Sequence, residues 1–354
     1  MSILEDLDKM RALDPLGMYD KIYHFPEQLE DAKAIGQKAN PDKNLAEGIN
    51  NIIIAGMGGS AIGGDLVRSY LGGTIKVPFH ICRHYRLPAF VDNHSLVIIS
   101  SYSGNTEETL AAMQDAIARK AKIACITSGG KVAEIARANN YLMIELPTGF
   151  PPRAALGYSF VPLLMLISKL GFIDNVEKDI ADLIIGLKSY RDRYAQDLKT
   201  EKNPAKSLAL RLYQKIPIIY TGPELTDTIG TRWKGQSCEN GKALAFNNQF
   251  AEFNHNELVG WNVIESYKDK LVVIYLRDND DHPRISRRME IVRTIIEKHG
   301  VDIIDVFSHG DFTLGRMFSL IQLGDFASFY LAVLNNVDPT PVKVIDFLKW
   351  ELDQ

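Results

Sequence analysis

The stretch Asn51-Ile-Ile-Ile-Ala55-Gly-Met-Gly-Gly-Ser60-Ala-Ile-Gly-Gly-Asp65 decides the fold. Ile52–Ala55 is short, β-branched and without a polar residue, which is the pattern of a strand covered on both faces. Glycines follow at once and then a helical pattern, so the reading is strand, tight loop, helix. The same plan recurs downstream. The runs Val77–Cys82, Leu96–Ser100, Ile123–Thr127 and Leu142–Glu145 alternate with amphipathic helical stretches, which predicts βαβ units and a parallel sheet with helices on both faces.

Beyond Pro151-Pro152 a helical stretch runs from Ala154 to about Leu198, interrupted near Gly171. Strand-like runs then resume at Ile216–Tyr220, Ala243–Phe246, Leu271–Leu276 and Val301–Val306, followed by helical stretches Thr313–Val337 and Val342–Leu352. Ile52-Ile-Ile-Ala-Gly-Met-Gly-Gly parallels Ile218-Ile-Tyr-Thr-Gly-Pro-Glu-Leu, and Leu96-Val-Ile-Ile-Ser parallels Leu271-Val-Val-Ile-Tyr, which points to an internal duplication. The expected division is a first domain over 1–153, a helical interdomain linker over 154–200 and a second domain over 201–354. Leu4, Leu7, Met10 and Leu13 share a helical face before the breaker Pro15, and a second short helix follows Pro26. This segment, to about Gln37, is expected to cap the first domain.

The chain's 354 residues fit two domains of ordinary size. With 46% hydrophobic and 24% charged residues it has ample core material. Lys+Arg 40 against Asp+Glu 44, with no basic run, argues against a nucleic-acid partner. Acidic residues near the N-terminus argue against a secretory signal, so the expected location is cytoplasmic. The apolar stretch Ala154–Ile167 carries Gly157, Ser159 and Pro162 and is shorter than the roughly 20 residues of a membrane span, so it reads as a buried helix and no membrane association is expected. Cys82, Cys125 and Cys238 form no CxxC pair and read as reduced thiols. The fragments His255-Asn-Glu257 and His309-Gly-Asp311 match no ligand spacing, so no metal is expected.

Two loops carry the chemistry. Gly56-Met-Gly58-Gly59-Ser60 lets backbone N–H groups approach a ligand at the positive pole of a helix. The relaxed dinucleotide fingerprint Gly56-x-Gly58-x-x-Ala61 is present, but the second strand ends in Cys82-Arg83-His84 rather than in the acid that holds a ribose, which excludes NAD; the arginine would suit a 2′-phosphate. No cofactor is expected. In Ser101-Tyr-Ser103-Gly-Asn-Thr106-Glu-Glu-Thr109 the hydroxyls of Ser101, Ser103 and Thr106 converge at the mouth of a helix, a cradle for a phosphomonoester. An elaborate N-cap is the plainer alternative, yet one cap does not need three hydroxyls.

These loops, with Pro151-Pro-Arg153-Ala-Ala-Leu-Gly-Tyr158, Glu239-Asn-Gly-Lys-Ala-Leu-Ala-Phe246, Glu252-Phe-Asn-His255-Asn-Glu257-Leu-Val-Gly260-Trp261 and Pro339-Thr-Pro-Val-Lys343, resemble the bifunctional phosphoglucose/phosphomannose isomerases of the sugar-isomerase (SIS) domain class, from about residue 50 to the C-terminus. The resemblance implies two flavodoxin-like α/β SIS domains and interconversion of aldose and ketose 6-phosphates without metal or nicotinamide. It implies that Ser101, Ser103 and Thr106 bind the phosphate and that Gly58, Gly59 and Ser60 line the sugar. It also implies that Glu239 moves the proton between C1 and C2, His255 assists ring opening, Arg153 lies beside the enediolate and Lys343 meets the sugar. A homodimer, in which the histidine can act in trans, follows by resemblance alone. Gly241 departs from the pattern, where an alanine-like helical residue is expected. The chemistry agrees independently, since moving a proton α to a carbonyl needs a carboxylate and a nearby positive charge. Singly, each of these four side chains also has an ordinary structural reading: Glu239 and Lys343 as solvated helix charges, Arg153 as an ion-pair partner, His255 as a loop residue. The alternatives are a non-catalytic phosphosugar sensor, which would need the cradle but not Glu239 or His255, and another SIS sugar-phosphate isomerase.

Overall fold

A computed structural model describes residues 3–352 and 354. Its helices are Leu7–Leu13 (α1), Met18–Tyr23 (α2), Phe25–Lys38 (α3), Gly58–Leu71 (α4), Glu107–Ala118 (α5), Gly130–Ala138 (α6), Leu156–Lys169 (α7), Glu177–Arg191 (α8), Pro204–Leu212 (α9), Asp227–Glu239 (α10), Pro283–Glu297 (α11), Thr313–Leu334 (α12) and Lys343–Leu352 (α13). Its strands are Asn51–Ala55 (β1), Phe79–Cys82 (β2), Ser95–Ser101 (β3), Lys122–Thr127 (β4), Leu142–Glu145 (β5), Ile216–Thr221 (β6), Phe246–Gln249 (β7), Leu271–Arg277 (β8) and Asp302–Phe307 (β9). The chain divides into two compact units, His24–Gly186 on one side and the stretch up to Tyr23 together with Leu187 onward on the other.

In the His24–Gly186 unit the sheet order is β2-β1-β3-β4-β5 with every pair parallel. Ile54 pairs with Ile81 on one side and Ile98 on the other, and Ile52–Ala55 are fully buried. Burial on both faces is why these strands read as unbroken apolar runs. Strand order reverses between β1 and β3, so the loops leaving their C-terminal ends part and open a crevice, the usual ligand position of an open parallel sheet. Both chemistry-bearing loops leave these two strands. The helix α7 is buried from Leu156 to Ile167 against α3 and α4. The expected linker over 154–200 therefore begins with a core helix of this unit, because an apolar helix of this kind must bury every face.

The second unit has the parallel order β7-β6-β8-β9, repeating the first sheet less one edge strand. The helix α12 packs against α9 and α10 and forms the centre. By length and composition it would span a bilayer, but 89% of that apolar window is buried, as in the core helix of a folded domain. It is a longer apolar helix than Ala154–Ile167. The expected cap on the first domain is split at Tyr23. Tyr19 packs its ring on Phe326 and Phe329 of α12, and Lys206 Nζ donates to the Leu4 carbonyl at 2.6 Å, which ties the N-terminal segment to the second unit. Only α3 belongs to the first.

Candidate active site

The glycine loop and the hydroxyl loop are locked together. Ser60 Oγ accepts the Tyr102 N–H at 3.0 Å, and Ser100 Oγ donates to the Ser60 carbonyl at 3.4 Å. Ser159 Oγ of α7 donates to the Gly59 carbonyl at 3.2 Å. Gly59 has no room for a side chain, since a Cβ there would stand 2.5 Å from the Pro152 carbonyl oxygen. That close approach brings the Pro152–Ala154 turn, with the buried Arg153, against the loop.

In the hydroxyl loop, Ser101 Oγ and Thr106 Oγ1 share a hydrogen bond at 3.1 Å. The Gly104 N–H donates to Ser101 Oγ at 3.2 Å and the Asn105 N–H to Ser103 Oγ at 3.3 Å. Gly104 has φ +69°, and a Cβ there would lie 1.8 Å from the Gly129 carbonyl oxygen, so only glycine permits the loop to nest against its neighbour. Thr106 takes the N-cap position of α5, but its side chain makes no cap hydrogen bond. The plainer N-cap reading therefore does not account for the hydroxyls. Glu107 and Glu108 occupy the first turn of α5, so the groups this loop offers an anion are hydroxyl and amide donors rather than net positive charge. Tyr102, absent from the sequence-based site, braces the loop by donating its OH to the Pro147 carbonyl at 2.7 Å and accepting the Phe150 N–H at 3.2 Å. Arg83, considered above for a 2′-phosphate, is paired with Asp65 of α4.

The second unit carries the other three residues on three separate elements. Glu239 is the last residue of α10, half-buried, with its carboxylate turned back along the helix: a Cβ at Gly235 would lie 4.0 Å from Oε1. Gly241 lies beyond the helix end, where a Cβ would meet the Ser237 carbonyl oxygen at 2.7 Å. The departure from the expected alanine thus coincides with an early helix stop. Lys242 Nζ donates to the Glu239 carbonyl and to those of Pro339 and Pro341, the latter two at 3.1 and 2.6 Å, and so ties the end of α10 to the segment that leads into Lys343. His255 is exposed at the end of the turn Glu252–His255, and Lys343 is the first residue of α13.

The helix α10 is fixed to α12 by a buried polar row that sequence reading missed. Arg232 Nη2 donates to Asp325 Oδ2 at 2.6 Å and Nε to Oδ1 at 3.1 Å; Gln236 Nε2 donates to Oδ1 at 2.9 Å. Asn240 Nδ2 donates to Ser328 Oγ at 3.0 Å and Trp233 Nε1 to the Leu320 carbonyl at 2.9 Å. The spacing 232, 236, 240 places these polar residues on one helix face, which is the signal that was available. Among the described residues no three His, Cys, Asp or Glu side chains are grouped to hold a metal ion.

Two units on parallel sheets, one with a cradle of hydroxyls and amides at its topological switch point, define an α/β protein of the SIS-domain class. Residues 47–170 match the SIS domain family, and residues 201–352 match the family described as bacterial phospho-glucose isomerase C-terminal SIS domain. The chain is 48% identical over 335 residues to the bifunctional phosphoglucose/phosphomannose isomerase of Caldicellulosiruptor bescii, covering 95% of this chain and 98% of that one. To the enzyme of the same name from Aquifex aeolicus it is 38% identical, over 85% and 90% of the two chains. The solved C-terminal domain of glucosamine-fructose-6-phosphate aminotransferase from Francisella tularensis shares the fold with a TM-score of 0.69 at 17% identity, over 92% of this chain and 98% of that one. The chain belongs to the bifunctional phosphoglucose/phosphomannose isomerase family.

Proposed function

We propose that this chain interconverts glucose 6-phosphate and mannose 6-phosphate with fructose 6-phosphate by proton transfer through an enediolate. The observation that carries the reading is the hydroxyl loop: Ser101 and Thr106 oxygens 3.1 Å apart at the open end of α5, with Ser103 in the same loop, at the crevice where a parallel sheet binds ligands. In this reading Ser101, Ser103 and Thr106 hold the phosphate, and Gly58, Gly59 and Ser60 line the sugar. Glu239 takes the proton from one carbon and returns it to its neighbour, Arg153 stabilises the enediolate oxygen, His255 assists ring opening and Lys343 contacts the sugar. Proton transfer of this kind calls for neither a metal nor a nicotinamide. A coupled assay on fructose, glucose and mannose 6-phosphates in EDTA tests it. Turnover of both epimers in EDTA is expected; binding without turnover would favour a sensor, and loss in EDTA with rescue by zinc would refute the metal-free route.

A homodimer in the cytoplasm completes the reading. The dimer is supported by the solvent-facing Val344, Ile345, Phe347, Leu348, Trp350 and Leu352 of α13, six large apolar side chains on one short helix. A monomer in analytical ultracentrifugation at assay concentrations would refute the dimer. The free thiols of Cys82 and Cys125, both buried, suit a reducing compartment.

A further inference from the structure

His255 is carried by the long segment between β7 and β8, which holds only short 3-10 turns. Such a segment has no repeating backbone ladder to fix it, so side chains must do so. Its apolar anchor is an aromatic nest. Phe250, Phe253 and Trp261 are buried, and Phe253 stacks on Tyr220 of β6 with ring centroids 4.0 Å apart and planes 7° apart. Phe250 meets Tyr275 of β8 edge-on at 5.5 Å. Its polar anchor is Glu257, two residues beyond His255. Tyr220 OH donates to Glu257 Oε1, Asn248 Nδ2 of β7 donates to Oε2 at 2.6 Å, and Trp261 Nε1 donates to Tyr220 OH at 3.1 Å. Asn256, between the two, accepts the Glu257 N–H and donates its side-chain amide to Glu252 Oε1 at 3.1 Å, closing the turn that carries His255.

We propose that Glu257 is the positioning residue for His255: its carboxylate, gripped by Tyr220 from one strand and Asn248 from the next, fixes the turn from which the imidazole acts. The inference rests on the reading of His255 as the group that assists ring opening. Burial, and then the hydrogen bond to Glu257, push the Tyr220 phenol far above its ordinary range, so it remains a donor throughout the working pH range. Both donors to the carboxylate come from strands of the sheet, which makes Glu257 a link between the rigid part of the unit and its long loop. A displacement of about 1 Å at a reacting group costs on the order of 10²-fold in rate.

The test is a double-mutant cycle in kcat on glucose 6-phosphate, with the melting temperature of each variant measured beside it. Glu257→Ala should lower kcat about 10- to 100-fold in the otherwise unchanged protein and less than about twofold in a His255→Ala background. The fall in melting temperature should be the same in both. Glu257→Gln, which keeps an oxygen for Tyr220, should recover part of the rate. An equal fold-loss of kcat in both backgrounds would overturn the positioning role and leave the proposed function standing. A His255→Ala variant with unchanged kcat would instead remove the histidine's role, and this inference with it. Should Glu257→Ala fail to fold, Glu257→Gln and Tyr220→Phe take its place in the same cycle, read by the same criterion.

Discussion

Replacing Asp325 by Asn tests the support under the proposed base. Arg232 and Asp325 are almost fully inaccessible, their side chains 4% and 8% exposed, and their contact is two-pronged, at 2.6 and 3.1 Å, with Gln236 as a further donor. An ion pair removed from water gains little net stability over an apolar pair, because desolvation cancels most of the attraction. Removing one partner is different, since a guanidinium stays buried beside a neutral amide that offers one acceptor oxygen instead of two and presents an NH₂ where the other oxygen stood. The cost is about 3–5 kcal/mol. For a folding unit of this size each kcal/mol moves the midpoint by about 2–4 °C, so Asp325→Asn should melt about 6–20 °C lower by calorimetry or circular dichroism. The double variant Arg232→Met/Asp325→Leu, with no charge left to strand, should recover most of that loss. A single variant melting within about 2 °C of the parent, or a double variant worse than the single, would refute the reasoning.

Glu239→Gln keeps size and hydrogen bonding but removes basicity, so kcat should fall roughly 10²–10⁴-fold with little change in substrate Kd. Exchange of the substrate C2 proton in D₂O, followed by NMR, should vanish with it; exchange that persisted would assign the proton to another base. Ser103→Ala/Thr106→Ala should raise KM at least about tenfold for any 6-phosphate, since hydrogen bonds to a charged group contribute about 1.5–3 kcal/mol each, and an unchanged KM would place the phosphate elsewhere. Burial raises the Asp281 carboxyl from its ordinary 3.8 to about 6. The folded protein therefore holds that proton more tightly than the unfolded chain, and the stability it contributes is present below pH 3.8 and lost as pH rises through about 6. Asp281→Asn should flatten that part of the pH–stability curve and stabilise the protein at pH 7, by about 1 kcal/mol once the group's partial exposure is discounted; urea melts at pH 4 and 7 check the sign.

The inner strands β1, β3 and β4 of the first sheet were legible because they are buried on both faces, and continuous burial writes itself as continuous apolar sequence. Where burial is one-sided the reading slipped. The strand expected at Ala243–Phe246 lies instead at Phe246–Gln249, an edge strand of Phe-Asn-Asn-Gln with no buried residue and hence no apolar run to find. Pro78 shortened the expected Val77–Cys82 to Phe79–Cys82, for it can accept from Ile52 N–H but has no N–H to give to the ladder. The hydroxyl loop was legible because Ser101, Ser103 and Thr106 lie within one short stretch of sequence. The row Arg232, Gln236 and Asp325 was not, since two helices supply it across 93 residues of chain and only packing brings them together.

The duplication shows why fold and site separate. Both sheets reverse strand order at corresponding places, β1/β3 and β6/β8, so both offer the same crevice. In the first, the residues after the strands are glycines and hydroxyls whose hydrogen bonds run among neutral groups, and such groups can turn to an anion. In the second, the same kinds of donor are spent on carboxylates. Asp278 at the end of β8 accepts from Ser308 Oγ at 2.6 Å, from Arg316 Nε at 3.1 Å and from the Asp280 N–H at 2.9 Å, and Asp281 accepts the Asp278 N–H at 2.9 Å. Thr226 Oγ1 is taken up by the Gly222 N–H at 2.9 Å. A phosphate entering there would have to displace fixed negative charge from its own donors, which the first crevice does not ask of it. The difference is already present in the aligned segments, where Gly56-Met-Gly-Gly faces Gly222-Pro-Glu-Leu. In the proposed function the first copy of the fold holds the phosphate, while in the second copy the end of α10 carries Glu239 and the turn Glu252–His255 carries His255.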